Sequence, residues 1–300
     1  YRPGHSALQA VAEVHAGLRA GATDVVDADL SKFFDTIPHA ELMKSVARRV
    51  SDGAMLHLIK MWLEAPSEET DERGGRTRRN SGCKGTPQGG VISPLLANIY
   101  MRRFLKAWEQ RDHEHTLRAH IVNYADDFVI LCRGTAERAL AEARAILTRI
   151  GLTVNEQKTR VCQVWKQPFD FLGYSFGPCY AVGTGRPYLG ARPSAKGVAG
   201  LRETLRDMTG RATLTQSVTE LIGDMNRVLQ GWANYFCYGT LSKAYRAVDA
   251  YAAQRVRQWL LCKHKERGPG TGQYPDARLN REYGLTSLTR QLAAHRKPRG

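Results

Sequence analysis

The stretch "IVNYADDFVIL", residues 121–131, constrains this chain more than any other. Two apolar runs flank the adjacent acids Asp126 and Asp127, which fits two strands meeting at a tight turn. Neighbouring carboxylates repel each other, and apolar strands tend to bury what lies between them. Buried charge is costly unless it is paired or bound to a metal. The segment is therefore either an acidic hairpin tip or half of a metal site.

The rest of the chain supplies the frame. Residues 6–20 read as a helix capped by Ser6, with Ala7, Val11, Val14 and Leu18 at helical spacing and Gly21 as the stop. "TDVVDADL" reads as a strand with an acidic end, and "TIPHAELMKSVARRV" as a second helix with Leu42, Val46 and Val50 on one face. Residues 66–90 are polar and Gly-rich, hence loops or exposed hairpins. Ser93-Pro94 opens an apolar helix to about Phe104 or Leu105. Thr135 caps another helix, with Leu140, Ala143, Leu147 and Ile150 inward and Gly151 ending it. "LTV" reads as a short strand and "FDFLGYSF" as a hairpin. Short strands interrupted by a hairpin favour an α+β fold, an antiparallel sheet with helices on one face, over a doubly wound parallel sheet.

The Gly/Pro-rich run over residues 179–200 reads as a linker. Beyond it the pattern is helical. Val218, Leu221, Met225, Val228 and Trp232 form one stripe; Leu241, Tyr245, Val248, Ala252, Val256 and Trp259 form another. Charge divides at the same place. Residues 1–179 hold 24 Lys/Arg against 21 Asp/Glu, whereas residues 180–300 hold 20 against 8, a net +12. Such a basic surface points to a polyanionic partner, nucleic acid first and an anionic membrane surface second. No apolar run approaches the roughly 20 residues that span a bilayer, so a cytoplasmic location without a membrane partner is expected. The six cysteines show no CxxC pairing, and Cys132 and Cys162 read as buried thiols. "HEH" at 113–115 and Cys262-Lys263-His264 lack metal-site spacing and read as surface.

Asp29, at the end of "VVDADL", lies 97 and 98 positions before Asp126 and Asp127. Three carboxylates at neighbouring strand ends can hold magnesium, whose charge relieves their mutual repulsion. Asp24, Asp27 and Asp35 are less suited, although Asp27 shares the face of Asp29 by alternation. In "GTPQGGVISPLLANIY", residues 85–100, Gly85, Gly89 and Gly90 permit close backbone approach to a flat ligand, and Gln88 offers both donors and acceptors.

Taken in order, "DADLSKFFDTIPH", "GTPQGGVISPLLANIY", "YADD", "GLTVNEQKTRV" and "FDFLGYSF" resemble the palm motifs of reverse transcriptases. "YRPGHSALQAV", "LTQSVTELIGDMNRVLQGWANYF" and "WLLCKHKERGPGTGQYPDARLNREYGL" are similar to segments of the group II intron branch, whose thumb is called the maturase-specific domain. The resemblance implies a right-hand polymerase palm followed by an α-helical thumb. Residues 1–178 would be the palm with partial fingers, 179–200 a linker and 201–300 the thumb; the chain starts at Tyr1, and the segment that precedes "YRPG" in the family is expected to be missing.

The resemblance further implies that Asp29, Asp126 and Asp127 hold two Mg2+ ions, with the Leu30 carbonyl as a further ligand. Phe34 would be the steric gate against a 2′-hydroxyl, or else core packing beside Phe33. Gln88 and Gly89 would meet the incoming dNTP, and Lys158 would protonate departing pyrophosphate or else sit on a solvated face. Phe171, Leu172, Gly173 and Tyr174 would grip the primer end. The basic helices, through Arg246, Arg255, Arg257, Lys263, Lys265 and Arg267, would bind RNA. The expected activity is RNA-directed DNA synthesis from a DNA primer on an RNA template, with intron RNA binding and splicing assistance. The competing readings are a splicing cofactor with little polymerase activity and a domesticated enzyme of repair or defence.

Overall fold

The computed structural model describes residues 4–70, 76–79, 82–87 and 89–296, which form two compact units dividing between Phe169 and Asp170.

The first unit opens with α1 (Ala7–Arg19), started by a capping box in which Ser6 and Gln9 exchange side-chain and backbone bonds. Then follow β1 (Asp24–Ala28), α2 (Phe33–Thr36), α3 (His39–Ala47) and α4 (Gly53–Glu64), the last capped by Asp52. β2 (Ser67–Thr70) and β3 (Arg76–Arg79) pair as a hairpin, within the region read as loops or hairpins. α5 (Ser93–Gln110), α6 (His113–Thr116), β4 (Ala119–Tyr124), β5 (Asp127–Cys132), α7 (Ala136–Arg149) and β6 (Arg160–Gln163) complete the unit.

Four strands form one sheet in the order β4–β5–β1–β6, antiparallel throughout the β4–β5, β5–β1 and β1–β6 pairs. Alternation sorts its two faces. Val26, Ala28, Phe128 and Ile130 point into a core with Leu96, Tyr100, Phe104 and Trp108 of α5 and Leu147 of α7. Phe104 meets Phe128 at 5.2 Å between ring centroids. α1 lies on the opposite face, so close that a Cβ on Gly17 would stand 2.5 Å from Leu131 Cδ1. The acids Asp27, Asp29 and Asp127 belong to that second face by the same alternation.

Several local expectations change. α5 runs to Gln110 rather than ending near Leu105, because Trp108 continues the buried stripe of Ala97, Met101 and Phe104. Thr135 stands at the N-cap of α7, but its hydroxyl donates to the Leu117 carbonyl instead of capping. "LTV" makes only a bridge between Leu30 and Val154; the strand falls later, at β6. His113 is buried against the Trp108 ring at 4.7 Å, whereas His115 is exposed as expected. Cys132 and Cys162 are buried, and burial pushes the Cys132 thiol up to about 12.

The boundary falls within β7 (Phe169–Phe171), which forms one sheet with β8 (Tyr174–Tyr180) and β9 (Pro187–Pro193), in that spatial order; α8 (Ala195–Met208) follows in the second unit. The run 179–200 is therefore not a linker. It supplies the end of β8, all of β9 and the start of α8. Gly190 belongs inside the strand because a Cβ there would meet Cys179 Sγ at 2.8 Å. α9 (Val218–Tyr235), α10 (Ser242–His264), α11 (Asp276–Arg281) and α12 (Leu288–Arg296) follow. Both helical stripes read from the sequence line one core, with Leu221, Met225, Tyr245, Val248, Val256 and Trp259 buried. Asp249 of α10 accepts bonds from Ser287 Oγ and the Leu288 and Thr289 amides, fixing the first turn of α12.

Among the described residues no helix is long and apolar enough to cross a membrane.

Candidate active site

The site is built by strand register. Antiparallel pairing sets Asp27 opposite Val129 and Ala28 opposite Phe128, so the next position places Asp29 opposite Asp127. Directly opposed residues in such a ladder stand roughly 5 Å apart at Cα. Tyr124 pairs with Asp127, leaving Ala125 and Asp126 as a two-residue turn. Ala125 has φ 57, a left-handed conformation that only glycine adopts freely, and Asn123 steadies it through Nδ2 to the Ala125 carbonyl at 2.8 Å. A strained turn thus carries the acid pair.

Three charges crowd Asp127. Water reaches the residue, yet its carboxyl is pushed up to about 6, first by partial desolvation and then by the charges of Asp126, Asp29 and Asp27. Asp27 is paired with Arg160 of β6 at 3.0 Å. Asp29 is approached by the loop after Val154. Lys158 Nζ lies 3.4 Å from its Oδ2, and Asn155 donates to the same oxygen at 3.3 Å. Asn155 was not singled out in the sequence; its place in "NEQKT", three residues before Lys158, was the available signal.

The backbone adds a further oxygen. The Leu30–Val154 bridge uses Asn155 N–H to the Asp29 carbonyl and Ser31 N–H to the Thr153 carbonyl. In that pattern the Leu30 carbonyl points away from Val154, toward the β5 side where the acidic turn lies.

Among the described residues no three His, Cys, Asp or Glu side chains are grouped closely enough to hold a metal ion. The acids share a field without forming a finished ligand cage, and Lys158 partly neutralises Asp29 in its place. Their donor chemistry nonetheless suits a hard divalent cation: carboxylate and carbonyl oxygens around unrelieved negative charge.

The glycine-rich loop is stitched to α2. Thr86 N–H donates to the Phe34 carbonyl at 2.6 Å, and Gly85 N–H to the Ile37 carbonyl at 2.8 Å. Gly85 has φ 94, and a Cβ there would press on Asp35 backbone at 3.0 Å, so glycine is required. Phe34 is half-buried, packed against the core with its ring 5.5 Å from Phe33, edge-on. Gly89 is exposed with φ 84 and open space around it. Gln88 lies outside the described residues.

Residues 1–176 match the family model described as reverse transcriptase (RNA-dependent DNA polymerase). The chain belongs to the reverse transcriptase family. Residues 198–274 of the chain match the group II intron, maturase-specific domain. Protein YkfC of Escherichia coli K12 is 34% identical over 209 residues, covering 58% of this chain and 53% of that protein. An uncharacterized 91 kDa protein in a cob intron of Schizosaccharomyces pombe is 24% identical, covering 79% and 37%. The group II intron-encoded protein LtrA of Lactococcus lactis is 33% identical over 102 residues, covering 34% and 15%. The chain thus spans about half the length, or less, of these curated relatives. Apo telomerase from Candida tropicalis superposes with a TM-score of 0.46 at 12% identity, covering 98% of this chain and 55% of that one, a likeness too low to bear on the argument.

In the second unit, the hairpin expected at the primer end turns at Leu172 and Gly173, with φ 49 and 76, the pair of left-handed residues a two-residue turn needs. Phe171 and Tyr174 are buried; Tyr174 donates to the Tyr235 carbonyl at 2.6 Å, and Tyr235 donates to the Leu172 carbonyl at 2.8 Å. Only the turn itself is left partly open.

The six basic candidates divide. Arg246, Lys265 and Arg267 are exposed. Arg255, however, bonds Thr209 Oγ1 at 2.8 Å and the Thr209 and Arg206 carbonyls, closing the end of α8. Arg257 is nearly enclosed, bonded to the Tyr274 carbonyl and paired with Asp276. Lys263 donates to the Leu214 and Gln216 carbonyls at 2.8 and 2.6 Å. These three are structural, because unsatisfied carbonyls at helix ends and turns claim the nearest cation.

Proposed function

We propose that this chain is the palm and thumb of a group II intron-type RNA-directed DNA polymerase, extending a DNA primer on an RNA template. The observation that carries this reading is the register that sets Asp29 opposite Asp127 on the sheet face turned away from α5, in a chain of the reverse transcriptase family. Divalent-metal dependence is general in that family. Asp29, Asp126, Asp127 and the Leu30 carbonyl would hold two Mg2+ ions. When bound, these ions supply the positive charge that steadies the phosphate oxygens during in-line displacement.

The chain's own residues then take defined parts. Phe34 walls the sugar pocket and excludes a 2′-hydroxyl. Gly89 and Gln88 let the backbone approach the incoming dNTP. Leu172 and Gly173 present a rigid turn to the primer end. The primer 3′-hydroxyl gives up its proton to solvent water as its oxygen attacks the α-phosphate, and the bond to the β-phosphate breaks. Lys158, freed from Asp29, gives its proton to the departing pyrophosphate and regains one from water. Asn155 keeps Asp29 oriented while Lys158 is engaged.

A second role rests on a separate observation. The maturase-specific match over 198–274 includes exposed Arg246, Lys265 and Arg267, which supports binding of intron RNA and assistance to its splicing.

The test is primer extension by wild-type protein and by Asp126→Asn. Loss of about 10³-fold or more in rate with unchanged RNA affinity is expected, the scale of removing several kcal/mol of charge stabilisation. Undiminished extension refutes the assignment.

A further inference from the structure

A cationic cleft of about 610 Å3 lies in the first unit, between the end of α3 and the outer face of α5. Arg48, Arg49, Arg102, Arg103 and Lys106 line it. The first unit is close to charge balance as a whole, so this is a local concentration. Arg102, Arg103 and Lys106 recur at i, i+1 and i+4 on α5, on the side away from its buried stripe of Ala97, Met101, Phe104 and Trp108. Like charges four residues apart destabilise a helix.

Their neutralisation is incomplete. Glu41 is the nearby acid, and it is already shared between Lys44 at 2.7 Å and Arg103 at 2.8 Å. Arg48, Arg49, Arg102 and Lys106 are exposed, and none makes an ion pair with an acid among the described residues. Ile99, Ala107 and Ile150 floor the cleft, so cations rim an apolar base. A rim of guanidinium groups over an apolar floor suits phosphates at the edge and a ribose or base face beneath.

Position separates this cleft from the acids. α5 covers the sheet face bearing Ala28 and Phe128, whereas Asp29 and Asp127 belong to the other face. A chain held in the cleft is therefore not the template strand at the acidic turn.

We propose that this cleft is a second RNA site, which holds the phosphate backbone of a structured RNA on the helical back of the palm. It goes beyond the polymerase reading and rests on it only for RNA as the occupant; the test reads binding without primer, so it can fail while that reading stands. RNA is the committed occupant because the family's template is RNA and the cleft's unpaired cations complement its phosphates. Bound there, an RNA stays anchored while another segment passes the acidic turn.

The experiment measures anisotropy of a fluorescein-labelled RNA stem-loop without primer, titrated with the whole chain over a range of salt. The variant combines Arg48→Ala, Arg49→Ala, Arg102→Ala and Lys106→Ala, leaving Arg103 to hold Glu41. Each lost phosphate contact lowers the log–log salt slope by about 0.7–0.9, so a fall of roughly 3 is expected, with affinity at moderate salt down at least about tenfold. A companion carrying Arg48→Lys, Arg49→Lys and Arg102→Lys, with Lys106 kept, retains the wild-type slope. An unchanged slope in the alanine variant overturns the proposal. So does an equal loss in the lysine companion, which would mark a structural role. Duplex DNA of the same length binding as tightly, with the same dependence on these residues, overturns RNA as occupant. Displacement of RNA by polyglutamate at equal charge concentration does the same in favour of an acidic protein.

Discussion

The acidic turn of the first unit and the basic helices of the second treat charge in opposite ways. At the turn, Asp126, Asp127 and Asp29 are held within each other's field, and the Asp127 carboxyl is pushed up to about 6, by partial desolvation first and by those neighbouring charges second. Along α10, charges that look equally free in the sequence are spent on the protein itself: Arg255, Arg257 and Lys263 close carbonyls at the ends of α8, the turn after it and the approach to α11. Unrelieved charge persists where something outside the protein is to supply the counter-charge. Satisfied charge is architecture. The cleft between α3 and α5 belongs with the acidic turn in this respect, with the sign reversed.

That contrast can be broken by substitution. The largest effect is expected from Arg255→Ala combined with Arg257→Ala, which strands several carbonyls and Asp276. The loss is about 2–4 kcal/mol in chemical denaturation of the second unit. Arg246→Ala with Arg267→Ala leaves that stability within about 0.5 kcal/mol and weakens RNA binding instead. If both pairs behave alike, the division between spent and available cations fails.

Next in size is the acid turn. Asp127's folded pKa is raised from 3.8 to about 6, so its contribution to stability is fully present below pH 3.8 and is lost as pH rises through 6. Asp127→Asn removes that dependence. At neutral pH without metal the variant should be more stable than wild type by on the order of 1 kcal/mol, after allowance for the water on its exposed side. Below pH 3.8 thermal melting should not separate them.

A smaller gain, about 0.5 kcal/mol, is expected for Ala125→Gly, whose relief of the left-handed residue outweighs glycine's greater unfolded freedom. Denaturant titration reads it. The gentlest effect belongs to His120, bonded to Glu13 at 2.7 Å and also to Glu114, which raise its pKa to about 9. Its contribution is whole below pH 6.5 and disappears as pH rises through 9. Comparing wild type with His120→Gln by melting across that window should show the two converging at high pH.

Much of this was legible in the sequence, for identifiable reasons. α1 announces itself through Ser6 and Gln9, and the α9 and α10 stripes through uninterrupted helical spacing. The acidic hairpin was legible because two apolar runs can meet at only one turn. The boundary was not. Glycines and prolines over 179–200 read as a linker, yet Leu189, Ala191 and Pro193 alternate inward along β9, and Gly190 is there to admit Cys179. Glycine marks close packing as readily as it marks a turn. The fate of Arg255 and Lys263 was hidden because the carbonyls they satisfy, from Arg206 to Gln216, lie some forty to fifty residues away.

Crystals of the whole chain soaked in Mn2+, with anomalous diffraction collected on wild type and Asp29→Asn, test most directly whether the first acid and the paired acids form one centre. The expected result is a peak between Asp29 and the Asp126–Asp127 turn that disappears in the variant. A peak that survives the substitution, or manganese bound only elsewhere, would contradict it.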